Sequence, residues 1–179
     1  MLTLLLTLTL LSGCGWHLRG VMPIPEQFKV LYLQSQAGNS FDRKLKLQLE
    51  FNGVTLTTAA EDGIAVLQID TVQIEKRTLS VNSNGQVGEY ELNGRLTARL
   101  LRAASDEEFP LELKARRLLT NDVNNVVGTA SAEAQQRSDM ESELVRKLLR
   151  QLQAIETQGK SLTPASDEAP DQPSQENAG

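Results

Sequence analysis

Leu79-Ser80-Val81-Asn82-Ser83-Asn84-Gly85-Gln86-Val87-Gly88-Glu89-Tyr90-Glu91-Leu92-Asn93-Gly94-Arg95-Leu96-Thr97-Ala98-Arg99-Leu100 is the stretch in which the architecture of this chain first becomes legible. Asn84-Gly85 is a strong hairpin signal, because both residues tolerate positive φ. Beyond it the alternation is clean: Tyr90, Leu92, Gly94, Leu96, Ala98 and Leu100 face one way, and Glu89, Glu91, Asn93, Arg95, Thr97 and Arg99 the other. A strand of that pattern buries one face and wets the other.

The preceding arm, Ile64–Val81, is strand-like throughout, but its apolar positions change parity. Leu67 and Ile69 are odd, Val72 and Ile74 even, Leu79 and Val81 odd again. Period-two alternation changes parity only through an extra residue, so bulges are expected near Asp70-Thr71 and Arg77-Thr78. After the hairpin, Ser105-Asp106-Glu107-Glu108 reads as a turn. Phe109, Leu111, Leu113 and Ala115 then alternate with Pro110, Glu112, Lys114 and Arg116. Pro110 donates no ladder bond, which marks an edge strand or a strand start.

Two helices complete the pattern. Gly38-Asn39-Ser40 offers an N-cap whose polar side chains can satisfy free backbone N–H groups. Phe41, Leu45 and Leu49 follow at i, i+4 spacing, and Gly53 supplies the stop, giving a helix over 40–52. From about Thr129 the period is again 3.6. Met140, Leu144, Leu148, Leu152 and Ile155, widened by Val145 and Leu149, form one apolar stripe. Phe28–Leu33 reads as a first strand and Val54–Thr57 as a short strand or edge segment. The stripes of both helices need an apolar partner, and the buried face of the hairpin sheet provides it. The fold class expected is α+β: a two-layer sandwich of about four strands, mixed or antiparallel, with both helices packed on one face.

Leu11-Ser12-Gly13-Cys14 closes an uncharged apolar run, Met1–Leu10, too short for a bilayer core of ~30 Å. It has the length of a leader's apolar region ending in small residues, although no Lys or Arg precedes it. The bland alternative is a core cysteine after a leucine-rich helix. Residues 1–13 are thus read as a signal peptide, 14–26 as a tether, 27–156 as the folded domain and 157–179 as a disordered acidic tail. Pro23 and Pro25 suit an extended tether.

The chain carries a net charge of −5. The tail's Lys160, Asp167, Glu168, Asp171 and Glu176 account for −3, leaving −2 for the rest. No basic excess is present for nucleic acid. One cysteine excludes an internal disulfide and Cys-rich zinc spacing. His17 is the only histidine. Placed three residues from Cys14, it suits a surface position better than a catalytic base. No nucleophile–base pair, phosphate loop or metal-ligand cluster appears, so no enzymatic activity and no metal are expected.

Leu11-Ser12-Gly13-Cys14 resembles the lipobox of bacterial lipoproteins. Cys14-Gly15-Trp16-His17-Leu18-Arg19-Gly20 directly after it resembles the opening of the mature LptE family, the lipopolysaccharide-assembly lipoproteins. Asn84–Leu92 resembles that family's central hairpin, and Ser138-Asp139-Met140 with Leu148-Leu149-Arg150-Gln151-Leu152 its last helix. The resemblance implies a covalent diacylglycerol and N-acyl lipid on Cys14, with no other cofactor. It implies a lipid-anchored place on the periplasmic face of the outer membrane, inside an LptD-type β-barrel. There the chain would plug the barrel, help assemble it and assist insertion of lipopolysaccharide, touching the glycolipid near the hairpin tip. The cations nearest that tip are Lys76 and Arg77 on one arm and Arg95 and Arg99 on the other. Lys114, Arg116 and Arg117 form a second basic group that could meet the barrel. Against this stands an ordinary solvated face, salt-bridged through Glu75, Glu89 and Glu91. A different reading of the whole chain is an accessory lipoprotein of another transport or cell-wall synthesis system.

Overall fold

A computed structural model describes residues 24–102, 107–122 and 125–160. The expected leader, Cys14, His17, most of the tether, the tail beyond Lys160 and positions 105–106 of the expected turn lie outside those residues. A 3-10 turn, Glu26–Phe28, leads into β1, Val30–Ser35. There follow α1, Asn39–Phe51, and β2, Thr55–Thr57. The long strands come next: β3, Ala65–Val81; β4, Val87–Leu101; and β5, Glu108–Thr120. A final helix, α2, runs from Val126 to Lys160.

The five strands form one sheet in the order β2-β1-β3-β4-β5. β1 pairs in parallel with both β2 and β3, whereas β3-β4-β5 is an antiparallel meander. The fold is the expected α+β sandwich with one more strand than the expected four. β2 is only three residues long, yet it holds a full parallel register, Val30↔Thr55 to Tyr32↔Thr57.

Both helices lie on one face, and their stripes are buried as the periodicity predicts. Phe41, Leu45 and Leu49 of α1 and Met140, Leu144, Leu148, Leu149 and Leu152 of α2 meet Leu67, Ile69, Leu92, Leu96 and Leu100 of the sheet. Gly94 lets α2 approach closely: a Cβ there would lie 2.9 Å from the Met140 methyl. Ion pairs fix the helices laterally, Lys76–Glu133 at 2.6 Å and Lys44–Glu141 at 2.8 Å, together with Arg117–Glu143.

Several local expectations are corrected. Ile24, three residues before the expected boundary, is already buried in the core. α2 continues four residues past 156, through Lys160. The N-cap of α1 is Gly38 at φ 95°, with no side-chain cap. Ser40 instead turns its hydroxyl to Glu141, 2.9 Å away on α2. The C-terminus is as expected. Gly53 at φ 82° closes a Schellman turn, its N–H donating to Glu50 and that of Val54 to Leu49.

In the β3–β4 hairpin, Gly85 alone takes positive φ, and no non-glycine residue does. Asn84-Gly85 is therefore not a two-residue primed turn. Gly85 N–H donates to Asn82 O at 3.0 Å and Asn82 N–H to Gln86 O at 2.8 Å, giving a three-residue loop that ends in a left-handed glycine. Asn82 Oδ1 accepts from the N–H groups of Asn84 and Gln86, which stabilises this alternative. The first register shift falls where parity requires it, between Ile69 and Thr71. The second lies between Thr78 and Ser80, one step beyond the expected place, and a third follows at Ser80/Val81. β5 is an edge strand, as Pro110 indicated.

Candidate functional site

With both helices on one side, the other face of the sheet is uncovered. Pairing fixes which side chains share it: Arg77 opposes Glu91, Asn93 opposes Arg116, Arg95 opposes Lys114 and Thr97 opposes Glu112. Directly opposed residues point to the same face. Arg77, Arg95, Lys114 and Arg116 thus converge around a concavity of about 590 Å³ that Gln73, Glu75 and Asn93 also line.

Glu91 is the pivot of this surface. It sits on the wet face of β4, as the alternation expects, yet its side chain has 0% exposure. Arg77 donates to Oε1 at 2.7 Å, Asn93 Nδ2 donates to the same oxygen at 2.7 Å, and Arg116 pairs with Oε2. Both arginines remain more than 60% exposed, so the carboxylate lies only one side chain below water. The Asn93 hydrogen bond chiefly holds its pKa below the ordinary carboxylate value. Arg77 and Arg116 add to this, against the desolvation that raises it.

Asp70, the extra residue of the first bulge, is aimed at Arg99, which grips it through Nε at 3.0 Å and Nη2 at 2.8 Å. That bond lowers the Asp70 pKa and raises that of Arg99. Glu112 is held low by Lys114, 3.0 Å away, and lies 3.7 Å from Arg95.

Among the sequence-selected cations, the spatial groups are not the sequence groups. Lys76 and Arg77 are neighbours on opposite faces. Lys76 points to the helix side, onto Glu133 and over the Tyr90 ring at 4.2 Å. Arg116 and Arg117 separate in the same way, with Arg117 turned to Glu143 of α2. Arg99 is occupied by Asp70 in a two-bond grip. The uncovered cluster is accordingly Arg77, Arg95, Lys114 and Arg116, drawn from both expected groups. Toward the hairpin tip the same face carries Leu118, opposite Glu91 and exposed. Among the described residues no group of His, Cys, Asp and Glu is placed to hold a metal, and no helix is long and apolar enough to cross a membrane.

Residues 28–152 match the LptE family, described as lipopolysaccharide-assembly. This chain belongs to the LptE family. Two relatives share the name LPS-assembly lipoprotein LptE. That of Photorhabdus laumondii is 27% identical over 157 residues, 86% of each chain. That of Yersinia pestis (strain Pestoides F) is 31% identical over 159 residues, 86% of this chain and 76% of the relative. Among solved structures, lipoprotein B of Nitrosomonas europaea superposes with a TM-score of 0.67 at 30% identity, covering 83% of this chain and 96% of that one. The rare lipoprotein B of Shewanella oneidensis shares the fold with the same TM-score of 0.67 at 22% identity, over 73% of this chain and 98% of that one. The LptE-family chain is therefore a membrane-associated lipoprotein of lipopolysaccharide assembly, and the cluster around Glu91 is a surface of that protein.

Proposed function

We propose that this chain, acylated at Cys14 and held at the periplasmic face of the outer membrane, plugs an LptD-type β-barrel and offers its uncovered sheet face to lipopolysaccharide. The observation that carries the reading is the composition of that face. Around the concavity four exposed cations stand against Glu75, Glu91 and Glu112, a surplus of one positive charge, and the exposed aliphatic side chain Leu118 lies on the same face. A phosphorylated glycolipid needs that combination: guanidinium groups for phosphate and an apolar margin for acyl chains.

Dimensions support the plug. β3 has 17 residues and so extends ~55 Å, at about 3.3 Å per residue. That is longer than the apolar band of a barrel wall, about 25 Å tall. A chain anchored at one leaflet could place its hairpin tip level with the other. The uncovered sheet face is polar and largely ion-paired, which suits a polar lumen.

Co-purification tests the partnership. Capture of the chain from detergent-solubilised outer membranes should recover a barrel in stoichiometric amount, and intact mass should show an acylated Cys14. Recovery of the acylated chain without a barrel would refute the plug.

A further inference from the structure

The cations among the described side chains are distributed in two distinct ways. Lys29, Lys44, Lys76, Arg77, Arg95, Arg99, Arg102, Lys114, Arg116, Arg117, Arg137 and Lys147 all make ion pairs. Arg43, Lys46, Arg146 and Arg150 make none with any described residue, and all four lie on the outward sides of α1 and α2. On α1, Leu47 and Phe51 stand one helical turn apart and are 63% and 62% exposed. These two break the polar side of an otherwise amphipathic helix. A groove of about 320 Å³ runs alongside, lined by Lys44, Leu47, Gln48, Ser142, Val145 and Arg146.

Unpaired cations around protruding apolar side chains are the pattern of a helix face that lies on an anionic bilayer, apolar groups at the acyl boundary and cations among the headgroups. Against the four cations, the exposed carboxylates among the described side chains of the two helices are Glu50 and Asp139, so the patch keeps a positive surplus. The route of the chain agrees. Lys29 O accepts from the N–H of Thr55 at 2.7 Å, four residues after Phe51, so the segment leading from Cys14 enters the fold at the Phe51 end of α1. Cys14 is ten residues before Ile24, and ten residues cannot span more than about 36 Å. The anchored domain is thus confined close to the bilayer with this end nearest to it.

We infer that the α1–α2 face, through Arg43, Lys46, Arg146 and Arg150 with Leu47 and Phe51, docks on an anionic phospholipid surface when the chain is anchored but not yet in a barrel. The inference rests on the proposed acylation of Cys14, and the test separates the two.

The full-length acylated chain carrying Leu47→Cys is labelled with bimane and reconstituted into phosphatidylcholine vesicles with or without phosphatidylglycerol. A second preparation carries the label at Gln73→Cys on the uncovered sheet face. A lipid-borne quencher at the acyl boundary should quench the label at residue 47 several-fold more than that at residue 73, and only with phosphatidylglycerol present. The difference should collapse in high salt, and when Arg43, Lys46, Arg146 and Arg150 are all changed to Gln with the circular dichroism unchanged. Equal quenching at the two positions, or quenching at residue 47 that ignores the anionic lipid, would overturn the docking. Flotation with vesicles at high salt reads the anchor separately. A chain that floats without quenching at residue 47 keeps its anchor and loses this face. One that neither floats nor quenches loses both.

Discussion

Replacing Leu144 by Ala tests the packing that holds the uncovered face in shape. Leu144 has 0% exposure in the centre of α2, against Gly94 of β4, and its Cδ1 lies 3.5 Å from where a Cβ on Gly94 would stand. The change deletes three carbons, about 2.4 kcal/mol of transfer free energy at ~0.8 kcal/mol each. Glycine has no side chain to move into the gap, so a cavity term adds to this and the expected total is about 3–4 kcal/mol. That is a large part of a domain's usual ~5–15 kcal/mol.

Gly94→Ala alone should be nearly neutral, within about 0.5 kcal/mol. Its new methyl crowds the flexible end of Met140, at 2.9 Å, and makes ordinary contacts with Leu144 and Ala115, at 3.5 and 3.7 Å, while strand propensity improves. In the Leu144→Ala background the Met140 methyl can swing into the vacated space, and the methyl added at position 94 helps fill it. The double variant should then be more stable than additivity predicts by about 0.5–1.5 kcal/mol. Urea denaturation of the leaderless chain, followed by far-UV circular dichroism, gives all four corners of the cycle. Additive effects, or a Leu144→Ala cost below about 1 kcal/mol, would refute the packing argument.

Three shorter predictions follow from the same structure. Asp70, Glu91, Glu112, Glu133 and Glu143 all have folded pKa values below their ordinary 3.8 or 4.5, Glu133 chiefly through Lys76 and Glu143 chiefly through Lys147. Their contribution to stability is complete above those ordinary values and is lost as pH falls through the depressed ones. The urea midpoint should therefore drop between about pH 5 and about pH 3, and less so in a Glu133→Gln/Glu143→Gln variant; parallel pH profiles for the two proteins would refute this. Glu91→Gln removes the charge that occupies Arg77 and Arg116, so lipopolysaccharide binding in vitro should tighten, whereas Arg77→Glu with Arg116→Glu should weaken it. Opposite signs in a pull-down titration would remove this face from the reading. Gly53→Ala forces a side chain into φ 82° with nothing within 4 Å of the new Cβ, so its cost is backbone strain alone, about 1 kcal/mol. Thermal melting should shift down by about 3 °C, and an unchanged midpoint would mean that the turn relaxes.

Much of the architecture could be read from the chain before any coordinates. The stripe Met140–Ile155 and the alternation Tyr90–Leu100 are local periodicities that a buried face enforces wherever it packs. The parity change between Ile69 and Val72 required a bulge because a pleat has no other way to change sides. Gly53 likewise announced the end of α1. The uncovered site was only partly readable. Its residue types were visible, but the groups Lys76/Arg77 and Lys114/Arg116/Arg117 were drawn along the sequence, and consecutive strand residues face opposite ways. No pattern around Glu91 marked it as buried, because its cover comes from Arg77 and Arg116 on the two neighbouring strands.

By itself, then, the sequence determined the two helices and the long strands, their buried faces and the first position where the pleat must slip. These depend on interactions within a few residues and on the partition of side chains between water and core. Tertiary structure alone decided that β1 pairs in parallel with β3, that Lys76 and Arg117 turn inward to α2, and that four helix cations stay without an ion pair among the described residues. Each of those outcomes depends on which distant carboxylate the register brings within reach, and ion pairs such as Lys76–Glu133 join groups 57 residues apart.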